Sequence, residues 1–330
     1  MAEYKGIKGF KVQYLSSDPS DPIIGQTWYN STSKDLKYTS ATTAGAWASA
    51  TSMGTARYGL GGAGTQTAAL AFGGADPAIS TATEEYDGST WTANPTGLNT
   101  ARYLLGGAGT QTAALGFGGQ PGTGYTTATE EYNGSTWANS PPGLNTARGF
   151  LGGTGIQTAA LAFGGDTPGF TGATEEYDGS TWATSPGTLG TFRRSLGAAG
   201  VQTAALAFGG NDGPPAPVLT AATEHYNGTS WTAGGSMNTA RGYLGGCGTD
   251  TAALGFGGSG VSPTTAATEL YDGSTWTSNP TGLGTGRYSL GAAGTQTAGL
   301  GFGGYTTTAV ADTEEFTGPG SPVTKTVTVS

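Results

Sequence analysis

The sequence predicts an all-β fold, a six-bladed β-propeller, and three observations carry that prediction. One sentence recurs six times, with equivalent arginines at Arg57, Arg102, Arg148, Arg193, Arg241 and Arg287 spaced 45, 46, 45, 48 and 46 residues apart. Each copy is made of short apolar runs broken by glycine-rich punctuation, the signature of strands and turns. The last copy lacks its final piece, and a matching piece stands before the first copy. Periods of this length built from strands stack radially, because no single unit can bury its own apolar face.

The composition agrees with one closed domain. The chain has 330 residues, 62 of them glycine, and only 11% charged. We place the propeller at 38–318, an attachment arm or hairpin at 1–37, and a terminal strand or tail at 319–330. The net charge of −9 is uneven: residues 1–37 hold five of the six lysines and carry +1, which leaves −10 elsewhere. An acidic body of this kind excludes nucleic acid and anionic lipid as partners. No apolar run reaches membrane-spanning length, and MAEYKGIKGF lacks the apolar core of a secretion signal. Synthesis in a cytoplasm is expected. The single cysteine, Cys247, stands where other copies have Ala or Thr and reads as a small buried filler.

Within a copy, the run after the arginine (YGLGGAG after Arg57) is a strand of small residues with a recurring leucine. It suits the crowded axis, where backbones approach closely. A Gly-X-Gln-Thr turn follows, replaced by Gly248-Thr249-Asp250-Thr251 in the fifth copy. The second strand, TAALAF, ends at Phe-Gly-Gly. After a variable loop comes Thr-Glu-X-Tyr, then Asp-Gly or Asn-Gly, which predicts a type I′ hairpin with positive φ at both central positions. The fourth strand carries Trp91, Trp137, Trp182, Trp231 or Trp276. Each unit is therefore a four-stranded antiparallel meander.

Taken together, Arg, Phe-Gly-Gly, Tyr-Asp/Asn-Gly-Ser/Thr-Ser/Thr-Trp and a Leu or Met before the next Arg resemble the kelch repeat, over roughly residues 38–318. The strands are richer in Gly, Ala and Thr than that pattern implies. The sixth copy reaches Thr313-Glu314-Glu315-Phe316 without a tryptophan, whereas Ala46-Trp47-Ala48 precedes the first arginine at the right distance. The N-terminal segment is expected to supply the last strand of the final blade, removing a free sheet edge.

No catalytic constellation emerges. Glu84, Glu130, Glu175, Glu224, Glu269 and Glu314 recur two residues before an aromatic, and with the six arginines they read as one structural ion pair per blade. The next position (Glu85, Glu131, Glu176, His225, Leu270, Glu315) points to the opposite side of its strand. Adjacent carboxylates so placed cannot flank one scissile bond. His225 reads as a surface histidine rather than a metal ligand. The arginines read as repeat elements, with none set apart to hold an anion. No cofactor or metal is expected, and an enzyme is not.

Chain direction places the Gly-X-Gln and Asp-Gly turns on one face and the loops after Phe-Gly-Gly and after Trp on the other. The second face varies between copies, and variable loops on a rigid scaffold are where recognition resides. Its candidate ligand residues are Tyr125, Phe170 and Tyr305 for stacking, and Asp76, Asp166 and Asp212 for polar contacts. Near the N-terminus, Phe10, Val12 and Tyr14 alternate as in a strand. The stretch from Gly25 to Lys37, with its Gly-Gln-X-Trp-Tyr-Asn…Leu-Lys pattern, reads as a hairpin with a polar tip. It resembles a module of structural proteins of tailed, especially marine, bacteriophages, which also carry Thr/Gly-rich kelch-like repeats. That resemblance implies a virion protein of tail or fibre, in many copies per particle, held by its ends to other virion proteins. Its loops would bind host-surface glycan or protein. A capsid-decoration or tail-connector role, or a carbohydrate-active propeller enzyme, are the alternatives. The final TKTVTVS is expected to pair with residues 8–15 or with a neighbouring subunit.

Overall fold

The computed structural model describes residues 12–42, 44–213, 218–260, 264–320 and 322–327. Among them every regular element is a β-strand. The chain divides into two compact units, Ala46–Phe316 and the paired ends Met1–Gly45 with Thr317–Ser330. Seven four-stranded sheets are present, one more than the six that the repeats predict. The extra sheet comes from the chain ends, whose strands follow no repeat and were invisible to a search for periodicity.

The larger unit is propeller-like. Its first sheet contains Gly61–Thr65, Ala68–Phe72, Thr83–Tyr86 and Trp91–Asn94. The second to fifth sheets repeat that order, beginning at Gly106, Gly152, Gly197 and Gly245. The sixth joins Gly291–Gly294, Ala298–Phe302 and Thr313–Thr317 to Ala46–Ala50 from before the first repeat. The first strands lie side by side in succession, and the sixth returns to the first. Six amides close this circuit: Gly59 N donates to Ser289 O, Ser289 to Tyr243, Tyr243 to Ser195, Ser195 to Phe150, Phe150 to Leu104, and Leu104 to Gly59, over 2.6–2.9 Å.

The core lies between sheets. Trp137 of the second sheet packs on Phe72 of the first at 4.9 Å and donates its Nε1 to Thr83 Oγ1 at 2.9 Å. Trp91, Trp182, Trp231 and Trp276 repeat this wedge against Phe302, Phe117, Phe163 and Phe208. Trp47 does the same between Phe256 and Phe316, with Nε1 on Thr268. The Phe-Gly-Gly bend needs glycine at both places: Gly73 and Gly74 have φ of 66° and 95°. A Cβ on Gly73 would also stand 2.6 Å from the Arg102 carbonyl.

Two local expectations differ from the structure. The Asp-Gly turns are not type I′, since Gly88 has positive φ but Asp87 does not. Instead the Asp87 carboxylate accepts the amides of Ser89 and Thr90 and caps a four-residue loop between Tyr86 and Trp91. His225 is half-buried rather than a free surface residue, with Nε2 2.7 Å from the Tyr271 hydroxyl.

The smaller unit is a sheet of Gln13–Leu15, Thr27–Asn30, Asp35–Ala41 and Pro322–Thr326, in that order. Thr27–Asn30 and Asp35–Ala41 form a hairpin around buried Trp28. Asp18 accepts from Trp28, Asn30 and Lys37, and these bonds hold its carboxyl at about 2. Pro322–Thr326 pairs antiparallel with Asp35–Ala41 and not with the segment before it. Phe10 lies outside the described residues, as do all of residues 8–11.

Candidate functional site

The six arginines and six glutamates pair within their own sheets, completely buried. Arg57 Nη2 lies 2.8 Å from Glu84 Oε1, and Arg148 Nη2 2.6 Å from Glu175 Oε1; the other four pairs span 2.6–3.2 Å. Arg57 also donates Nη1 to the Gly73 and Ala82 carbonyls, tying the bend to the third strand. Desolvation pulls the Arg57, Arg102, Arg148, Arg193 and Arg241 guanidinium pKa values down while the carboxylate partners oppose it. These carboxylates also accept backbone amides, as Glu84 does from Gly54 and Glu175 from Asn145. The ion pairs lie in the protein interior, where they hold the bend and the third strand of each sheet together. Cys247 is buried, and desolvation pushes its thiol up to about 12.

The surface chemistry gathers on the loop face. There the residue after each repeat arginine bridges to the loop that follows Phe-Gly-Gly, as Tyr58 does to Ala75 and Arg194 to Asn211. The next residue is left-handed in all six copies: Gly59, Leu104, Phe150, Ser195, Tyr243 and Ser289, at φ of 53–62°. Five of these are not glycine, and each such backbone costs on the order of 1 kcal/mol. The closed ring of amides over-determines that conformation. It surrounds a shallow depression of about 100 Å3 floored by Leu60, Leu105, Leu151, Leu196, Leu244 and Leu290.

Aromatic rings border the depression in a nearly continuous belt. Tyr103 meets Tyr58 at 6.1 Å, and Tyr58 meets Tyr305 at 5.3 Å. Tyr305 then meets Tyr288 at 5.4 Å and Tyr288 meets Tyr243 at 5.8 Å. Tyr243 meets Phe150 at 6.0 Å, and Phe150 meets Tyr125 at 6.4 Å. Burial, then the neighbouring phenols, raise the Tyr58 and Tyr288 pKa values, so both hydroxyls stay protonated.

One arc of the belt carries a charged group. The Arg194 guanidinium lies between the Phe150 and Phe170 rings, 5.0 and 4.8 Å from their centroids. Its Nη1 donates to Asp166 Oδ2 at 2.6 Å, and Tyr125 donates its hydroxyl to the same oxygen at 2.9 Å. Burial and that bond push the Tyr125 phenol up to about 12. Phe192, more than half exposed, lies against Gly172, where a Cβ would come within 2.6 Å of its ring.

Of the candidate ligand residues, the fold brings Tyr125, Asp166 and Phe170 into one cluster and sets Tyr305 in the belt. Asp76 lies on an exposed two-strand ribbon of the first copy, near enough to Tyr58 for its charge to act on that phenol, and Asp212 on the loop of the fourth. Arg194, Phe150, Tyr58, Tyr103, Tyr243 and Tyr288 were missed. Beside the six repeat arginines, with none expected to stand apart, the structure sets Arg194 in this cluster, paired with the Asp166 carboxylate. The signal lay in the two positions after each repeat arginine, which change from copy to copy as much as the loops do.

Among the described residues no group of His, Cys, Asp and Glu could hold a metal ion. No protein-family model matches the chain, and no curated protein matches it.

Proposed function

We propose that residues 46–316 form a six-bladed, kelch-like propeller, and that the chain is a non-enzymatic structural protein of a tailed-phage particle. On this reading it sits on the tail or a fibre and binds host-surface glycan or protein through the loop face. It is made in the host cytoplasm, and residues 1–37 and 319–330 join it to other virion proteins. The observation that carries the reading is where the copies differ. Turn-face positions repeat almost unchanged, whereas the loop face varies between copies around an aromatic belt. Repetition serves the scaffold; divergence confined to one rigid face serves recognition. The six repeat glutamates are each held by a buried arginine, which supports binding without turnover. Many copies on one particle turn weak contacts into firm attachment.

Two measurements test this. Antibody to the chain should label tailed particles at tail or fibre in immuno-electron microscopy; labelling of the capsid or of nothing overturns the placement. Purified protein should adhere to host cells. Tyr58→Ala with Tyr288→Ala and Tyr305→Ala should abolish adhesion, while Ile156→Thr with Val201→Thr on the turn face should not. Equal adhesion by both variants overturns the loop face as the binding surface, and turnover of an oligosaccharide overturns the non-enzymatic reading.

A further inference from the structure

Within the loop face, one arc is built differently from the rest. Where the other copies place Ala or Gly before the repeat arginine, the fourth places Phe192; where they place Tyr or Gly after it, the fourth places Arg194. The third copy contributes Phe150, Asp166 and Phe170, and the second Tyr125. The departures thus converge in space although they come from three copies.

A second, independent observation marks the same arc. Asn211 exchanges two backbone hydrogen bonds with Arg194, at 2.9 and 3.0 Å, and is 0% exposed. Among the described residues neither Asn211 Nδ2 nor Oδ1 has a hydrogen-bond partner, and neither do Arg194 Nε and Ser195 Oγ. Four orphaned polar atoms on three neighbouring residues are costly in a folded protein, since each buried group pays its desolvation unanswered.

We propose that this arc is a subsite for a neutral saccharide residue. The proposal rests on the loop-face reading above and narrows it. The sugar's C–H face lies on the Phe170 and Phe192 rings, as apolar ring faces pack on aromatic planes. Its hydroxyls bond the Arg194, Asp166 and Tyr125 edge. The sandwiched guanidinium is held planar, so little rotamer freedom is lost on binding. Neutrality follows from charge: Asp166 already cancels Arg194 at 2.6 Å, and the whole chain carries −9. An anionic sugar would have to break that pair or face the Asp166 carboxylate.

The test is saturation-transfer NMR on the full-length protein with glucose, galactose, mannose and N-acetylglucosamine, against glucuronate and inorganic phosphate. At least one neutral sugar should receive saturation from aromatic protons, and the two anions should not. Phe170→Ala and Arg194→Lys should each weaken that signal at least fivefold, with far-UV circular dichroism and melting temperature unchanged. The subsite is overturned if no neutral sugar is saturated, if the anions bind more tightly, or if both variants bind as wild type. Host-cell adhesion separates the two readings. Adhesion kept by the double variant Phe170→Ala, Arg194→Lys but lost by the tyrosine variant overturns this subsite and leaves the loop face standing.

Discussion

At the residue scale, neighbouring sheets are latched by a side-chain pair whose members change together. The hydroxyls of Tyr86, Tyr132, Tyr177 and Tyr226 donate to Glu315, Glu85, Glu131 and Glu176 of the preceding sheet. Tyr271 finds His225 there instead, and the bond persists. The one copy with Phe316 in the aromatic place has Leu270 opposite, so loss of the hydroxyl coincides with loss of the carboxylate, and both join one apolar cluster. Reading down a single column, the Glu/His/Leu position looks unconstrained. Its rule appears only when it is set against the aromatic of the next copy, which is why sequence reasoning left it on the surface. A second latch on the turn face is broken once. Gln111 donates to the Ala69 and Tyr86 carbonyls, and Gln66, Gln157, Gln202 and Gln296 make the equivalent pairs. The fifth copy has Asp250, which as a carboxylate has no proton to donate to the equivalent carbonyls of Ala205 and Tyr226. Asp250→Gln should therefore stabilise the protein by about 1–3 kcal/mol, two bonds at roughly 0.5–1.5 each. The urea midpoint should rise at unchanged m-value; a midpoint that stays or falls would show that the turn carries no such bond in the fifth sheet.

At the scale of the element, strands and their punctuation were legible because period, glycine placement and aromatic spacing all reported the same geometry. Turn type was not. The Asp-Gly pair suggested backbone chemistry, whereas the aspartate side chain does the capping, and Asn133 and Asn227 do it equally in other copies. The site was legible only in part for a related reason. Loops advertise themselves by varying, but Phe150 and Arg194 sit in stretches that look like strand and repeat arginine until copies are compared position by position. The capping carboxylates also predict an acid response. Backbone and hydroxyl bonds, led by the Thr90 amide at Asp87 and the Thr181 amide at Asp178, hold both carboxyls at about 2; Asp272 is held lower in the same way. A carboxyl depressed on folding stabilises the native state above its unfolded value near 3.9, and that contribution disappears as pH falls through the folded value. Melting temperature should thus drop between about pH 4 and pH 2. The triple variant Asp87→Asn, Asp178→Asn, Asp272→Asn keeps an oxygen acceptor without a proton to gain, so it should start slightly lower at neutral pH and fall less. Parallel melting curves for the two proteins would exclude the turns as a source of acid sensitivity.

At the scale of the whole molecule, a ring and an open stack of the same sheets respond differently to damage at the seam. In an open stack the terminal unit has one neighbour, frays first, and contributes less than an interior one. Here the last sheet borrows Ala46–Ala50 from the other end of the sequence, and Trp47 enters the same wedge between Phe256 and Phe316 that Trp182 enters against Phe117 and Tyr177. The seam also carries its own Gln latch, from Gln66 to the Gly299 and Phe316 carbonyls, and its own Tyr latch, from Tyr86 to Glu315. The first and sixth sheets thus share the Gln latch, the Tyr latch and the Trp wedge of Trp91 on Phe302, while Trp47 packs the sixth sheet on the fifth, where Phe316 and Leu270 replace the Tyr latch. Trp47→Ala should then cost about as much as Trp182→Ala, each on the order of 3–5 kcal/mol for a packed aromatic removed. Both variants should unfold in one transition reported alike by tyrosine fluorescence and circular dichroism, because a break at any interface of a closed ring releases strain and contacts around it. A Trp47→Ala protein that loses markedly less stability than Trp182→Ala, or that unfolds in two steps with the sixth sheet first, would mean that the seam is an end and not an interface.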